Sequence, residues 1–207
     1  TYPWYQFGID TALGSGIDRP ITLREGSFAP VLLADKLAAA TRPDGRPIVT
    51  SDSYIVGSAS TPTVVEGPTP FMASPMCVAL LVLLASIVVS LCQLRGHLLG
   101  ARIFDTLWYG ICFLAGCVVT FLVFVSVHEA TSPNWVILWL NPLCLVGVIA
   151  PWLKSARRLE FWYQSVNFAL LILLGVVGLC GLQSLNPAFW PLMAASALRA
   201  LTWIKLK

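Results

Sequence analysis

Charge is the scarcest property of this chain. Of its 207 residues only 11% are Asp, Glu, Lys or Arg, against about 25% in ordinary soluble domains, so the chain cannot clothe a water-facing surface throughout. A cysteine framework is also missing. The six cysteines (Cys77, Cys92, Cys112, Cys117, Cys144 and Cys180) all lie in or beside apolar runs, with no CxxC or Cys/His spacing among them, so they read as small apolar fillers of helices rather than disulfide or zinc ligands. GxSxG, HExxH and P-loop patterns are absent, and no metal or cofactor is expected. The net charge of +3 is small and dispersed, and no nucleic-acid partner is expected. A basic-then-apolar signal peptide is lacking too. The chain opens at Thr1 rather than Met, and the expectation is a piece of a longer protein with chemistry upstream.

What the chain has in excess is apolar residues: 57% of the total, with a mean hydropathy of +0.78. They are unevenly placed. Asp10, Asp18, Glu25, Asp35, Asp44, Asp52 and Glu66 all precede Pro75, and beyond it charges occur only in short clusters between long apolar runs. A hydrocarbon core about 30 Å thick takes roughly 20 apolar residues of helix, and open backbone in lipid would leave polar groups unpaired. The reading is an all-α membrane protein with about five transmembrane helices, preceded by a small, mainly helical extramembrane segment. The expected spans are 76–94, 107–127, 135–153, 166–182 and 188–204. The third is interrupted by Asn141-Pro142 and Pro151, and the second carries no charged residue. Pro191 and Arg199 weaken the fifth, so four spans with the last run lying along the interface is the alternative.

Before the membrane half, residues 1–57 read as the C-terminal remnant of an extramembrane domain and 58–75 as a linker, with 76–207 the transmembrane domain. Thr22 and Glu25 have the spacing of a capping box. Ser27 is placed to cap a helix through Ala40, with Pro30 in its first turn and Leu33 and Leu37 on one face. Arg42-Pro43-Asp44-Gly45 signals a turn, and Ile48-Val49 with Tyr54-Ile55-Val56 could pair as short strands.

The loops are lopsided. Arg95 and Arg102 follow the first span, Lys154, Arg157 and Arg158 the third, and Lys205 and Lys207 end the fifth, whereas 128–134 and 183–187 contain no Lys or Arg. The positive-inside rule then places the N-terminal segment outside and the C-terminus in the cytoplasm. Trp108, Trp135, Trp152, Trp162, Trp190 and Trp203 lie near expected span ends, as an aromatic belt would.

Four residues are candidates for lipid or substrate contact: His128, Glu129, Asn134 and Asn141. His128 and Glu129 are adjacent at the outer boundary and could act as an acid–base pair or hold a headgroup. The bland reading, favoured for catalysis, is a polar interfacial loop in which His128 caps the second helix and Trp135 anchors the third. Asn141 is a costly amide at membrane depth, beside a proline that kinks the helix. Arg199 has three readings: a lipid-phosphate contact, a pair with a buried acid, or snorkelling to the basic surface, the last favoured by its distance from Lys205. Gly175, Gly178 and Gly181 offer a small-residue face. Asp10, Asp18 and Arg19 could form a site, with surface ion pairs and turn caps the commoner reading.

Two stretches carry a resemblance. One is Trp4 to Pro30, with FGIDTALGSGIDRPIT followed by Glu25 and Phe28-Ala29-Pro30. The other runs through Phe104-Asp105, Ser126-Val127-His128, Asn134, Trp139, Asn141-Pro142 and Asn186-Pro187-Ala188. Together they resemble a bacterial family of membrane-anchored envelope proteins bearing an Lnb N-terminal periplasmic domain. The resemblance implies an inner-membrane location and lipoprotein N-acylation, with an acyl chain passing from a phospholipid to the lipoprotein's N-terminal amine. Membrane lipids and lipoproteins would be the partners. The family's nucleophilic Cys and its His belong to motifs upstream of the resembling region, so no catalytic residue is carried over to this chain. The other class of function is a non-catalytic anchor or assembly subunit. A transporter is weaker, because the expected spans hold almost no ionisable residues at their midplanes.

Overall fold

The architecture was read from a computed structural model that describes residues 2–51, 53, 67 and 69–206. Two compact units emerge: Thr1–Asp18 together with Pro68–Lys207, and Arg19–Gly67. This division differs from the expected boundaries at 57 and 75, because the first eighteen residues group with the membrane half. All regular structure among the described residues is helical, with one isolated bridge between Thr41 and Pro47. Of the expected strand pair, Tyr54-Ile55-Val56 lies outside the described residues, as do residues 58–66 and 68 of the expected 58–75 linker.

The smaller unit holds α2 (Leu23–Gly26) and α3 (Pro30–Ala39). The capping box is present. Glu25 N–H donates to Thr22 Oγ1 at 3.2 Å, and Thr22 N–H donates to Glu25 Oε2 at 2.7 Å. Arg19 grips the same carboxylate at 2.6 Å. This guanidinium first, and then the Thr22 donors, holds the Glu25 carboxyl down at about 2. Ser27 does not cap α3, whose N-cap is Ala29 with Pro30 at N1. Instead its hydroxyl donates back to Leu23 O at 2.8 Å and accepts from Lys36 Nζ at 3.2 Å. The turn at Arg42–Gly45 closes through Gly45 N–H to Arg42 O at 2.9 Å. Gly26 is the one buried residue of this unit among those described, and Leu33 and Leu37 both stay exposed.

The larger unit opens with α1 (Pro3–Ala12). Its bundle contains α4 (Pro75–Leu94), α5 (Leu98–Phe124), the short α6 (Cys144–Ile149), α7 (Arg157–Leu179) and α8 (Phe189–Lys205). Among the described residues three helices are long and apolar enough to cross a membrane: α4, α5 and the 26-residue stretch Lys154–Leu179. Their burial is inverted relative to a soluble protein. The buried residues of α4 are small or polar (Cys77, Ala79, Ser86, Ser90, Gln93), while Leu81, Leu84, Val88 and Leu91 are exposed. In α7 the buried face begins with Glu160, Gln164 and Asn167, and Leu159, Val166, Ile172 and Leu173 point out. Small and polar residues inside with large apolar ones outside is the pattern of helices packed in lipid. The four-span alternative lays the last run along the interface, whereas α8 is a member of the bundle. It packs against both α4 and α7 and buries Phe189, Leu192, Met193, Ser196 and Arg199.

The expected third span is not a continuous helix. Residues 135–153 run as a 3₁₀ turn (Trp135–Leu138), an irregular stretch, α6 and a second 3₁₀ turn (Ala150–Trp152). Pro142 has no N–H to give and breaks the ladder. Asn141 repairs the break, donating Nδ2 to Ile137 O at 3.1 Å and accepting Leu143 N–H on Oδ1 at 3.0 Å. Irregular backbone at membrane depth is tolerated where protein covers it, and Val136, Trp139, Leu140 and Cys144 are buried here. Gly116 of α5 makes the close approach possible, since a Cβ there would collide with the Asn141 backbone.

α5 starts at Leu98, nine residues before the expected boundary, so Arg102 and Asp105 fall inside it. The shift also removes Trp108 from the aromatic belt. It is buried, and with Trp139 it donates its indole N–H to Ser196 Oγ, at 3.0 and 3.1 Å respectively. Trp135, Trp152, Trp162 and Trp190 keep exposed positions near the ends.

Candidate functional site

At the end of the bundle where α4 begins and α5 finishes, the first residues of the chain are sewn onto two distant loops. α1 has Pro at N1, and its Phe7 ring meets Phe189 edge-on at 5.1 Å. Trp4 donates its indole N–H to Ala73 O at 2.7 Å. Beyond α1, Gly14 N–H donates to Ala130 O at 2.9 Å and Ser15 N–H to Pro133 O at 2.8 Å. A Cβ on Gly14 would occupy the place of the Pro133 carbonyl.

Buried amides lock this clasp. Asn134 donates Nδ2 to Thr11 O at 3.0 Å. Gln183 accepts Trp135 N–H on Oε1 at 2.7 Å, and its Nε2 donates to Asn134 Oδ1 at 3.1 Å and Leu13 O at 3.4 Å. Asp10 takes Asn186 Nδ2 at 2.7 Å and Asp18 takes Ser184 N–H at 2.7 Å. Each amide saturates backbone groups that lipid or a dry interface would leave unpaired.

The four candidate residues separate. Asn134 is a buried member of the clasp, and Asn141 belongs to the broken crossing in the bundle. His128 and Glu129 are exposed, and among the described residues neither side chain makes a hydrogen bond. His128 does not cap α5. That role falls to Thr131, whose hydroxyl lies 2.8 Å from Leu122 O and 2.8 Å from His128 O. Arg19 pairs with Glu25. Sequence reasoning missed Gln183 and Thr131. Nothing in their neighbourhood distinguishes them from ordinary loop residues, and only their long-range partners give them a role.

Within the bundle lies a second polar constellation. Arg199 is fully buried and does not snorkel. Its Nε and Nη2 donate to the two oxygens of Asp105 at 2.8 Å each, Nη1 donates to Ser90 Oγ at 2.7 Å, and Nη2 also reaches Gln93 Oε1. Trp203 donates Nε1 to Asp105 Oδ2 at 2.6 Å. Of the three readings of Arg199, the buried acid is the one observed, because a bidentate carboxylate in a dry interior outweighs a reach of two turns to water. One turn further along α5, Tyr109 donates its hydroxyl to Gln164 Oε1 at 2.8 Å. Gly178 packs against Leu185 and Trp190 rather than presenting a bare helix face. Among the described residues no group of three or more His, Cys, Asp or Glu side chains is placed to hold a metal ion.

This arrangement can do two things: hold an N-terminal segment rigidly at one face of the bundle, and fix the helices through buried polar contacts. Cys77, Cys112 and Cys144 are buried in the core. No curated protein and no solved structure matches the chain. A family model does, over residues 68–207: the Lnb transmembrane domain, a five-transmembrane-helix family. The match begins where the larger unit resumes after the 19–67 excursion and covers α4 to α8 with the broken crossing, and by it the chain belongs to the Lnb transmembrane-domain family.

Proposed function

We propose that this chain is the membrane-embedded part of a bacterial envelope enzyme of the lipoprotein N-acyltransferase kind. In this reading it lies in the inner membrane with the clasp on the periplasmic side. The observation that carries the proposal is the clasp itself. Residues 2–18 are bonded to loops more than 110 positions away in sequence, which would hold a periplasmic catalytic part at a fixed height above the bilayer. Charge supports this orientation: Arg95, Arg102, Lys154, Arg157, Arg158 and Lys205 gather at the other end, and the loops at the clasp carry no Lys or Arg.

The reaction breaks an acyl ester of a phospholipid and forms an amide with the α-amino group of a lipid-modified N-terminal cysteine, releasing a lysophospholipid. Chemistry of this kind proceeds through a nucleophile that splits the transfer into two steps. The bundle's part is positional. His128 and Glu129, exposed at the clasp face, are the residues available to a lipid headgroup, while Asn134 and Asn141 shape the backbone behind them. Lipids and lipoproteins are the proposed partners.

The test is a deletion of the encoding gene, complemented by wild-type or variant copies, with mass spectrometry of lipoprotein N-termini. Deletion should leave free α-amino groups. Gln183→Ala and Asn134→Ala should lower acylation at normal membrane levels, because the clasp opens while the bundle persists. Unchanged acylation in the deletion strain would remove the proposal. Full activity in both clasp variants would reduce the bundle to a passive anchor.

A further inference from the structure

At the end of the bundle opposite the clasp, a cavity of about 420 Å³ lies between the α4–α5 turn, the 150–157 connection and the end of α8. Its size is that of a small-ligand site. Three cations line it, Arg102, Lys154 and Arg157, against one carboxylate, Glu160. Two long helices begin at its wall, α5 at Leu98 and α7 at Arg157, and neither has a side-chain cap. Their first-turn N–H groups and dipoles therefore add positive potential to the same space.

Two further atoms point to an occupant. Gln93 is 1% exposed and lines the cavity. Its Oε1 is taken by Arg199, yet its Nε2 donor has no hydrogen-bond partner. Arg102 Nε is likewise buried without an acceptor, while its guanidinium stands over the Trp152 ring at 5.9 Å. Buried donors without acceptors are rare and each needs an explanation. An anion with several oxygens would supply the acceptors and the charge together. The remaining wall is apolar, with Leu94, Leu98, Leu153 and Leu206, which suits an amphiphile better than a free ion.

We propose that this cavity binds the phosphate group of an anionic phospholipid, with the glycerol and first methylenes against the leucines. Basic pockets between transmembrane helices hold such headgroups elsewhere, and here the donors come from side chains and helix ends at once. The inference needs only that the bundle sits in a membrane, so it stands or falls apart from acyl transfer.

Native mass spectrometry of the purified full chain in a neutral detergent tests it, titrating dioleoylphosphatidylglycerol against dioleoylphosphatidylcholine. Selective retention of the phosphatidylglycerol is expected. Lys154→Gln with Arg157→Gln, both at exposed positions, should weaken it about thirtyfold with unchanged circular dichroism. Arg95→Gln with Arg158→Gln removes an equal charge at the same end but outside the cavity wall, and should leave binding as in the wild type. Equal retention of the two lipids, or an equal loss from the Arg95→Gln, Arg158→Gln pair, would overturn the site in favour of general surface charge. Inorganic phosphate that binds while the lipid does not would overturn it in favour of a free-ion site.

Discussion

Asp105 and Arg199 are far apart in sequence and wholly buried side by side, and the cost of separating them follows from that burial. Asp105→Asn leaves the guanidinium with one charged contact fewer and no anion, and breaking a buried pair from one side costs about 3–5 kcal/mol. The expected outcome is a lowered unfolding midpoint in micelles for Asp105→Asn. The double variant Asp105→Leu with Arg199→Met should recover most of the loss, because an apolar pair of similar volume is often as stable as the ion pair. An Asp105→Asn protein that melts with the wild type would show that the pair contributes nothing. The residues of this cluster were all visible in the sequence, yet their association was not. Arg199 lies within two turns of Lys205, which favours snorkelling, and its partner sits before the expected start of the second span. Helix periodicity reports which face a residue occupies and says nothing about which helix it meets. The same limit hid Gln183, whose partners are Leu13, Asn134 and Trp135.

Elements whose cause is local were legible, and those shaped by neighbours were not. The capping box of α2 rests on residues three apart, and it is present as spaced. It also yields a pH dependence with a definite sign. The Glu25 carboxyl is depressed from an ordinary 4.5 to about 2, chiefly by the Arg19 guanidinium. Its contribution is therefore complete above about 4.5 and is lost as the pH falls through about 2. NMR titration of the Thr22 and Glu25 amides should show this low midpoint, and Arg19→Ala should move it up toward 4.5. The broken crossing is the opposite case. Asn141-Pro142 announced an interruption, but its extent depends on Gly116 of α5, which lets the irregular backbone come close. Gly116→Ala should destabilise the bundle by about 1–3 kcal/mol through overpacking. Asn141→Ala should cost a similar amount by stranding Ile137 O and Leu143 N–H. The two act on one contact, so their combined effect in a thermal melt should differ from the sum.

Across the whole molecule, two asymmetries coincide. The bundle holds polar residues such as Gln93, Asp105, Gln164 and Arg199 in its interior and turns a largely apolar surface outward, so it is built for lipid, and its two ends differ in charge. One end carries the clasp with no Lys or Arg in its loops; the other gathers the basic residues and the headgroup cavity. Composition and the spacing of basic loops already contained this polarity, because both are sums over many residues and survive errors in any one boundary. The fine division of the chain was less legible, since only long-range bonds place residues 1–18 with the bundle. Orientation in the membrane is then a question with two answers, and charge favours one of them. Val127 is 93% exposed at the clasp end and Leu153 is 49% exposed at the basic end, so a thiol at either site reaches solvent without disturbing the core. In intact spheroplasts an impermeant maleimide should label a Val127→Cys variant above the native background. A Leu153→Cys variant should react only after the membrane is opened. The reverse pattern would turn the bundle over and put the clasp in the cytoplasm, where no periplasmic partner could meet it.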